Sequence, residues 1–188
     1  MDITDKLDLR QIIRVPSNRY LRHQYTKVKY QSIFTFLINN ASFGIEKAKI
    51  KAIMRNNNVL SFASLPAHIA GLVKQDNLIV PVVDLRQYLQ LPAADINQSK
   101  IIIIQLEKRL IGLLVEDVTE PVLTKDMKLV ALHNYQSVIK NQFLLGMAKT
   151  KQGDIMMLEA EKFLATDALM TRDEATTLDR VINLVSKL

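Results

Sequence analysis

The side chains that could do chemistry are few in this chain, and the clearest are Asp84 and Arg86 in the run Pro-Val-Val-Asp-Leu-Arg. A carboxylate can act as a general acid or base, and a guanidinium can bind an anion. At the end of an apolar strand, however, an aspartate typically accepts hydrogen bonds from backbone amides of the turn that follows. We therefore predict a structural role for Asp84 and no catalytic residue in this motif.

Other kinds of chemistry lack the residues that they need. His23, His68 and His133 form no HxH or HxxxH pair, and there is no cysteine to bind zinc or to act as a nucleophile. The chain has no GxSxG elbow, phosphate-binding P-loop or dinucleotide fingerprint. The sequence predicts no metal site, no cofactor and no enzymatic activity, and an enzyme on a β-barrel scaffold is the weakest alternative.

The formal charge of +6 is concentrated near the N-terminus. Residues 10–30 carry six basic side chains and no acid, whereas residues 31–188 carry 18 basic and 16 acidic ones. Such an arm could bind nucleic acid, anionic lipid or an acidic protein face, or it could be a solvated leader. The apolar runs are far shorter than the roughly 20 residues of a membrane helix, and the acidic start differs from a secretory signal. We expect a soluble, cytoplasmic protein.

The elements that position these residues are mostly short strands. Seven runs rich in apolar side chains are predicted as strands: residues 32–38, 42–45, 79–83, 101–104, 110–115, 143–147 and 155–158. Asn39 with Asn40, and Gly153 with Asp154, are predicted as hairpin turns. Residues 46–55 fit either a short helix or an edge strand. Many short strands at this spacing favour a barrel or a sandwich.

The end of the chain predicts an amphipathic helix. Thr171 and Glu174 have the spacing of a capping box. Five apolar residues follow at helical spacing: Leu178, Val181, Ile182, Val185 and Leu188. The apolar face could cover the domain or dock onto a partner, and the sequence leaves both open.

Residues 71–86, GLVKQDNLIVPVVDLR, combine a glycine, a polar turn, a proline-containing strand and Asp-Leu-Arg. This layout resembles the signature segment of the CheW-like adaptor family of bacterial chemotaxis, written roughly as GxxNxRGxxxPxxDLR. Asp76 and Asn77 occupy the places of the family's Arg-Gly pair, so the charge of the turn is reversed. The resemblance covers residues 31–165, with Glu116 where the family commonly has Asp. Four glycines also fall on family positions: Gly44, Gly71, Gly112 and Gly146.

The resemblance implies a mainly β fold: two packed, small, five-stranded SH3-like β-barrels with short helices and a C-terminal amphipathic helix. It divides the chain into a basic N-terminal extension (1–30), a CheW-like domain (31–165) and a C-terminal helical segment (166–188). It implies a non-catalytic adaptor that couples a methyl-accepting chemoreceptor, or an equivalent sensor, to the regulatory domain of a histidine kinase, without a cofactor. The reversed turn and the basic arm suggest a divergent adaptor, such as one for a type IV pilus or another chemosensory pathway.

The resemblance also suggests which residues bind partners. In the family, the contacts come from exposed strand edges of the first barrel and from the groove between the barrels. The matching positions of this chain are Ile45, Ile50, Ile53, Met54, Leu72, Lys74, Asp76 and Asn77. Each could instead be a core residue or a solvated turn residue. The rival function is binding of nucleic acid or of a membrane surface through residues 10–30, with the β domain as a platform.

Overall fold

The computed structural model describes residues 32–92, 98–107, 109–130, 132, 139 and 141–187. The basic arm at residues 10–30 therefore lies outside the described residues. The strands of the described part are β1 (Ser32–Ile38), β2 (Ala41–Glu46), β3 (Ile50–Arg55), β4 (Ile69–Gln75), β5 (Leu78–Asp84), β6 (Lys100–Gln105), β7 (Leu110–Val115), β8 (Asp117–Leu123), β9 (Lys128–Val130), β10 (Leu144–Thr150) and β11 (Gly153–Leu158). The α-helices are α1 (Leu85–Tyr88), α2 (Ala160–Phe163), α3 (Thr166–Leu169) and α4 (Arg172–Val185).

The strands form two sheets, so the mainly β fold predicted from the sequence is confirmed. Sheet 1 has the order β8-β1-β2-β11-β10-β9, and sheet 2 has the order β3-β6-β7-β5-β4. Two details differ from the predicted pair of five-stranded barrels. Sheet 1 has a sixth strand, because Lys128–Val130 pairs with β10. Within the described residues neither sheet closes, which leaves β8 and β9 as the outer strands of sheet 1, and β3 and β4 as those of sheet 2.

Sheet 2 is a contiguous insertion in sheet 1, because strands β3 to β7 follow one another along the chain between β2 and β8. The hairpin β1–β2 belongs to sheet 1, but a 3-10 turn at Lys47–Lys49 then leads the chain into β3, which pairs with β6 of sheet 2. In the opposite direction, Glu116 alone separates β7 of sheet 2 from β8, which pairs with β1 of sheet 1. Of residues 46–55, which the sequence left open, Ile50–Arg55 form an edge strand, whereas Glu46 ends β2 and Lys47–Lys49 form the turn. The two sheets are thus joined by two short crossovers, one of three residues and one of a single residue.

Three apolar clusters explain why both faces of the central strands are buried. Sheet 1 encloses a small cluster that includes Ile33 and Met157, and sheet 2 encloses another that includes Ile101 and Ile103. A third, larger cluster draws on both sheets and on the C-terminal helices. Because side chains alternate along a strand, Ile101 and Ile103 of β6 enter the inner cluster while Ile102 and Ile104 enter the shared one. All four are fully buried, as the continuous apolar run predicts.

Two glycines are required where strands shift register. Gly71 in β4 and Gly146 in β10 have φ values of 150° and 147°, and each lies at a register shift in its hairpin. A Cβ atom at Gly71 would come within 2.3 Å of the Leu60 carbonyl oxygen, and one at Gly146 within 2.6 Å of the Val130 carbonyl oxygen. Only glycine combines this backbone conformation with such a close approach.

The β10–β11 hairpin turns at a different place from the one predicted. Thr150 pairs with Gly153, so the turn residues are Lys151 and Gln152, and the predicted turn at Gly153 and Asp154 is wrong. Gly153 is the first residue of β11 and has a φ of 133°. The glycine therefore lies directly after the turn and not within it.

The predicted C-terminal helix is confirmed as α4, which begins with a capping box. Thr171 Oγ1 accepts from the Glu174 amide at 3.3 Å, and Glu174 accepts from the Thr171 amide at 2.7 Å. Leu178 is buried. Three further residues of the predicted stripe pack against the shared core: Val181, Ile182 and Val185. The apolar face thus covers the domain, whereas Leu188 lies outside the described residues.

Candidate partner-binding site

Asp84 has the structural role that the sequence predicts. It is the N-cap of α1, and its Oδ1 accepts hydrogen bonds from the amides of Arg86 (2.9 Å) and Gln87 (3.2 Å). These two amides belong to the first turn of the helix and have no partner within it. Leu85 between the two charged residues is 1% exposed. The aspartate of the Asp-Leu-Arg motif is therefore committed to the backbone.

Arg86 is committed as well, through an ion pair that sequence reasoning missed. Its guanidinium pairs with the carboxylate of Glu116, and both side chains are largely buried. The same carboxylate accepts from the Asn39 amide at 2.7 Å and from the Asn40 amide at 3.4 Å. Arg86 also donates through Nε to the Pro92 carbonyl oxygen at 2.8 Å. The only signal in the sequence was an acid at position 116, where the family commonly has Asp.

A second ion pair connects the crossover before β3 to the C-terminal helices. Lys49 Nζ lies 2.7 Å from Glu161 Oε1, and the two side chains are 24% and 33% exposed. Burial alone would lower the pKa of Lys49, but the hydrogen bond and the charge of Glu161 outweigh it, and the net pKa is raised. Nearby, Arg109 donates to the Leu164 carbonyl oxygen, and burial lowers its pKa. These contacts attach the C-terminal helical region to the crossover before β3 and to the residue before β7 of sheet 2.

The apolar residues predicted to bind partners differ sharply in exposure. Ile45 and Leu72 are 0% exposed and belong to the shared core. The prediction that these two residues contact a partner is therefore wrong, because a fully buried side chain offers no surface to a partner. Ile50 and Met54 are half-buried and pack against the cores. Ile53 is 48% exposed on the outer strand β3, so it alone of the five presents a large apolar surface.

The predicted polar residues lie on the β4–β5 hairpin and are exposed. Asp76 and Asn77 form its two-residue turn, with φ values of 48° and 64°, which correspond to the left-handed turn that short hairpins favour. Gln75 Nε2 donates to Asp76 Oδ2 at 2.8 Å. Lys74, which precedes Gln75, is also exposed. In sheet 2 the strands β6 and β7 separate the hairpin from β3 in the hydrogen-bonding order, so the predicted contacts fall into two groups.

Three further exposed residues were not among the predicted contacts. Lys51 and Arg55 flank Ile53 on β3, and both are exposed. Leu78, which follows the hairpin turn, is 56% exposed. The signal for the first two was the alternation in Ile-Lys-Ala-Ile-Met-Arg, which has the period of a strand with one solvated face. The sequence alone could not assign this exposed face, because residues 46–55 also fitted a short helix.

Aromatic packing accounts for the residues around α1 and α2. The rings of Tyr88 and Phe163 meet edge to face at 5.3 Å, and Phe163 meets Phe143 in the same way at 5.8 Å. Tyr88 Oη donates to the Ala168 carbonyl oxygen at 3.0 Å, and burial raises the pKa of its hydroxyl. These residues border an open cleft. They hold α2 and α3 against sheet 2.

Two other classes of site have no candidate in the described part of the chain. Among those residues, no three His, Cys, Asp or Glu side chains are grouped so that they could hold a metal ion. No helix within them is long and apolar enough to cross a membrane. Of the three histidines, His23 and His133 lie outside the described residues.

Two packed sheets with shared and separate cores define a mainly β domain of the double-sheet type. The chain belongs to the family of the CheW-like domain, whose model matches residues 32–168. It is similar to the chemotaxis protein CheW of Klebsiella aerogenes, with 21% identity over 144 residues, which cover 76% of this chain and 87% of the relative. It is also similar to a probable chemotaxis protein CheW of Rhizobium etli, with 22% identity over 132 residues, 70% of this chain and 85% of the relative.

The fold matches a solved structure of the same family. The crystal structure of the scaffolding protein TtCheW from Thermoanaerobacter tengcongensis superposes with a TM-score of 0.64 and 19% identity, covering 78% of this chain and 95% of that one. At this identity the likeness shows the fold alone. The recognition of a divergent family member from residues 71–86 is confirmed by the family match.

Proposed function

We propose that this protein is a non-catalytic, cytoplasmic adaptor that couples a chemoreceptor-like sensor to the regulatory domain of a histidine kinase. The observation that carries the proposal is the match of residues 32–168 to the CheW-like domain. The names of the relatives, chemotaxis protein and scaffolding protein, support the same reading. The pathway would be chemotaxis or a related chemosensory system, such as one that controls a type IV pilus.

The geometry around the family motif supports a binding role over a catalytic one. Asp84 and Arg86 are the charged residues that could have formed a reactive pair. Asp84 is used by backbone amides, and Arg86 is used by Glu116. A catalytic acid or base must instead be able to reach a substrate proton.

We assign the kinase or receptor contacts to the members of the predicted set that are not fully buried. On β3 these are Ile53 and the half-buried Met54 at the strand edge, with Ile50 at its start. On the β4–β5 hairpin they are Lys74, Asp76 and Asn77. Asp76 can only accept hydrogen bonds, so the partner surface that meets it should carry a donor or a cation. In this proposal, residues 1–30 form an extension, residues 31–165 the adaptor domain and residues 166–188 a helical segment.

The test is calorimetric titration of the purified full chain with the regulatory domain of a chemotaxis-type histidine kinase from the same cell. The proposal predicts saturable binding that persists when residues 1–30 are deleted. Ile53→Asp should weaken binding at least about tenfold, because exposed apolar anchors at an interface are expensive to replace with charge. Leu123→Asp is the matched control, since Leu123 is 46% exposed on the outer strand β8 of the other sheet.

The rival function gives the opposite results. A protein that acts through the basic arm at residues 10–30 would bind nucleic acid or anionic vesicles, and the affinity would fall steeply with salt. Deletion of residues 1–30 would abolish that binding. Absence of kinase binding together with such salt-sensitive binding would refute the adaptor function.

A further inference from the structure

The outer strand β3 carries two cations on either side of one exposed apolar residue. Lys51, Ile53 and Arg55 are exposed, whereas Ala52 and Met54 between them pack against the inner cluster of sheet 2. The three exposed side chains lie away from the inner cluster that Ala52 and Met54 contact, and β3 shifts register against β6 between Ile50 and Ala52, next to Lys51. We name Lys51, Ile53 and Arg55 the basic stripe.

Nothing in the described part of the chain neutralises the basic stripe. No carboxylate there forms an ion pair with Lys51 or Arg55. Lys100 adds positive charge, because it lies opposite Arg55 in the register of β3 and β6. The acids close to this region raise the pKa of Lys49 instead: Glu161, Glu46 and Glu159. A concentrated positive charge around an apolar residue on an outer strand is therefore left for a partner.

We propose that a strand of the partner protein extends sheet 2 along β3, and that its residues facing the basic stripe alternate acid, apolar, acid. The inference rests on the proposed adaptor function and specifies the chemistry of the segment that the kinase regulatory domain supplies. In an added strand, residues opposite each other have Cβ atoms about 5 Å apart. Each carboxylate would then meet one cation, and the apolar residue would cover Ile53.

The competing explanation is that the cations protect the edge. Charged residues, lysine above all, are common on outer strands because they prevent a second strand from pairing there. Under that explanation, neutralising the stripe would cause self-association and leave kinase binding unchanged. The two explanations therefore predict different results for the same substitutions.

The experiment compares two double variants of the full chain that change the charge equally. Lys51→Glu with Arg55→Glu reverses the basic stripe. Lys125→Glu with Lys128→Glu reverses two exposed cations, one in the 3-10 turn after β8 and one in β9 of sheet 1, and is the control. Binding of the kinase regulatory domain is measured by calorimetry at about 0.05 M and about 0.5 M salt, where screening differs strongly. Matching melting curves check that both variants are folded.

We expect the stripe variant to bind at least about tenfold more weakly at low salt and the control to stay within about twofold of the native chain. The affinity of the native chain should fall with salt, and that of the stripe variant should change little. Reversing the partner's acidic residues to lysine should restore binding to the stripe variant alone. This rescue would identify the carboxylates that the stripe meets.

The contrary results are distinguishable. No binding by the native chain refutes the proposed function, and the inference with it. Native binding that survives the stripe variant, or that both variants weaken equally, refutes the inference and leaves the adaptor function intact. Self-association of Lys51→Gln with Arg55→Gln, with unchanged kinase binding, shows that the stripe protects an edge. The stripe variant could also lose binding to phosphatidylserine vesicles or duplex DNA while it still binds the kinase domain. In that case the basic stripe binds phosphate groups, and the inference is wrong.

Discussion

Glu116 forms an ion pair with Arg86, and this pair connects the two sheets at the point where the chain crosses between them. Glu116 is the single residue between β7 of sheet 2 and β8 of sheet 1, and Arg86 lies on α1, directly after β5 of sheet 2. The carboxylate also accepts from two amides in the β1–β2 turn of sheet 1. One carboxylate thus serves both sheets and the crossover, which gives the arginine of the family motif a structural purpose.

The first prediction concerns this ion pair. Glu116→Ala leaves a largely buried guanidinium and two turn amides without their acceptor, and we expect it to lower the free energy of unfolding by about 2 to 3 kcal/mol. The measurement is urea denaturation at neutral pH. Asp154→Ala is the control: Asp154 pairs with Lys149 at 2.5 Å in a pair about 40% exposed, and its loss should cost less than about 1 kcal/mol. Equal costs for the two would contradict the role assigned to Glu116.

The second prediction separates capping from chemistry at Asp84. Asp84→Ala removes the acceptor of two amides at the start of α1 and should cost about 1 kcal/mol. Asp84→Asn retains an acceptor oxygen and should cost only a few tenths of that. Thermal melting of the two variants is the check. If Asn proved as costly as Ala, the charge of Asp84 would matter beyond capping.

The third prediction tests the close approach of β4 to the segment before it. Gly71→Ala must place a Cβ atom against the Leu60 carbonyl group at a positive φ, and we expect a loss of at least about 3 kcal/mol. Gly153→Ala also has a positive φ, but a Cβ atom there meets nothing within 4 Å, so the cost should be about 1 kcal/mol. Comparison of their urea midpoints isolates the steric part. A similar cost at both positions would mean that the backbone angle alone matters.

The fourth prediction concerns the charge of the hairpin turn. Asp76 has a φ of 48°, a conformation that Asp and Asn tolerate better than longer side chains. Asp76→Asn removes the charge and should leave stability unchanged, whereas Asp76→Arg should cost about 1 kcal/mol. Urea denaturation measures both. Asp76→Asn is therefore the cleaner probe of what Asp76 contributes to partner binding, and a destabilised Asn variant would contradict this account of the turn.

The fifth prediction concerns pH and the capping box of α4. Hydrogen bonds from the Thr171 amide and hydroxyl lower the pKa of Glu174 below its ordinary value of 4.5. A carboxyl group with a lowered pKa contributes stability above its unfolded pKa, and loses it as the pH falls through the folded pKa. The difference in melting temperature between the native chain and Glu174→Gln should therefore be largest near neutral pH and should shrink below about pH 4.5. A difference that stays constant would exclude the carboxylate as its source.

Features that depend on neighbours in sequence could be predicted from the chain alone. Strand β1 was predicted at residues 32–38, as the structure has it. The capping box at Thr171 and the backbone role of Asp84 were also predicted correctly. Each depends on the side-chain alternation of one strand or on hydrogen bonds spanning a few residues. The failed hairpin turn at Gly153 shows the limit, because the strand register that decides the turn involves the partner strand.

The exposure of side chains and the packing of the two sheets were decided by the tertiary structure. Ile45, Leu72 and Ile53 are equally apolar, and no local pattern separates the two buried ones from the exposed one. What separates them is the packing of the two sheets, because Ile45 and Leu72 enter the shared core whereas Ile53 on β3 lies outside it. The pair of Arg86 and Glu116 depends on tertiary structure too, because it forms where the chain crosses from β7 of sheet 2 to β8 of sheet 1. The sequence by itself determined the family and seven of the eleven strands of the described part, whereas contacts between residues distant in sequence determined which side chains remain free to bind a partner.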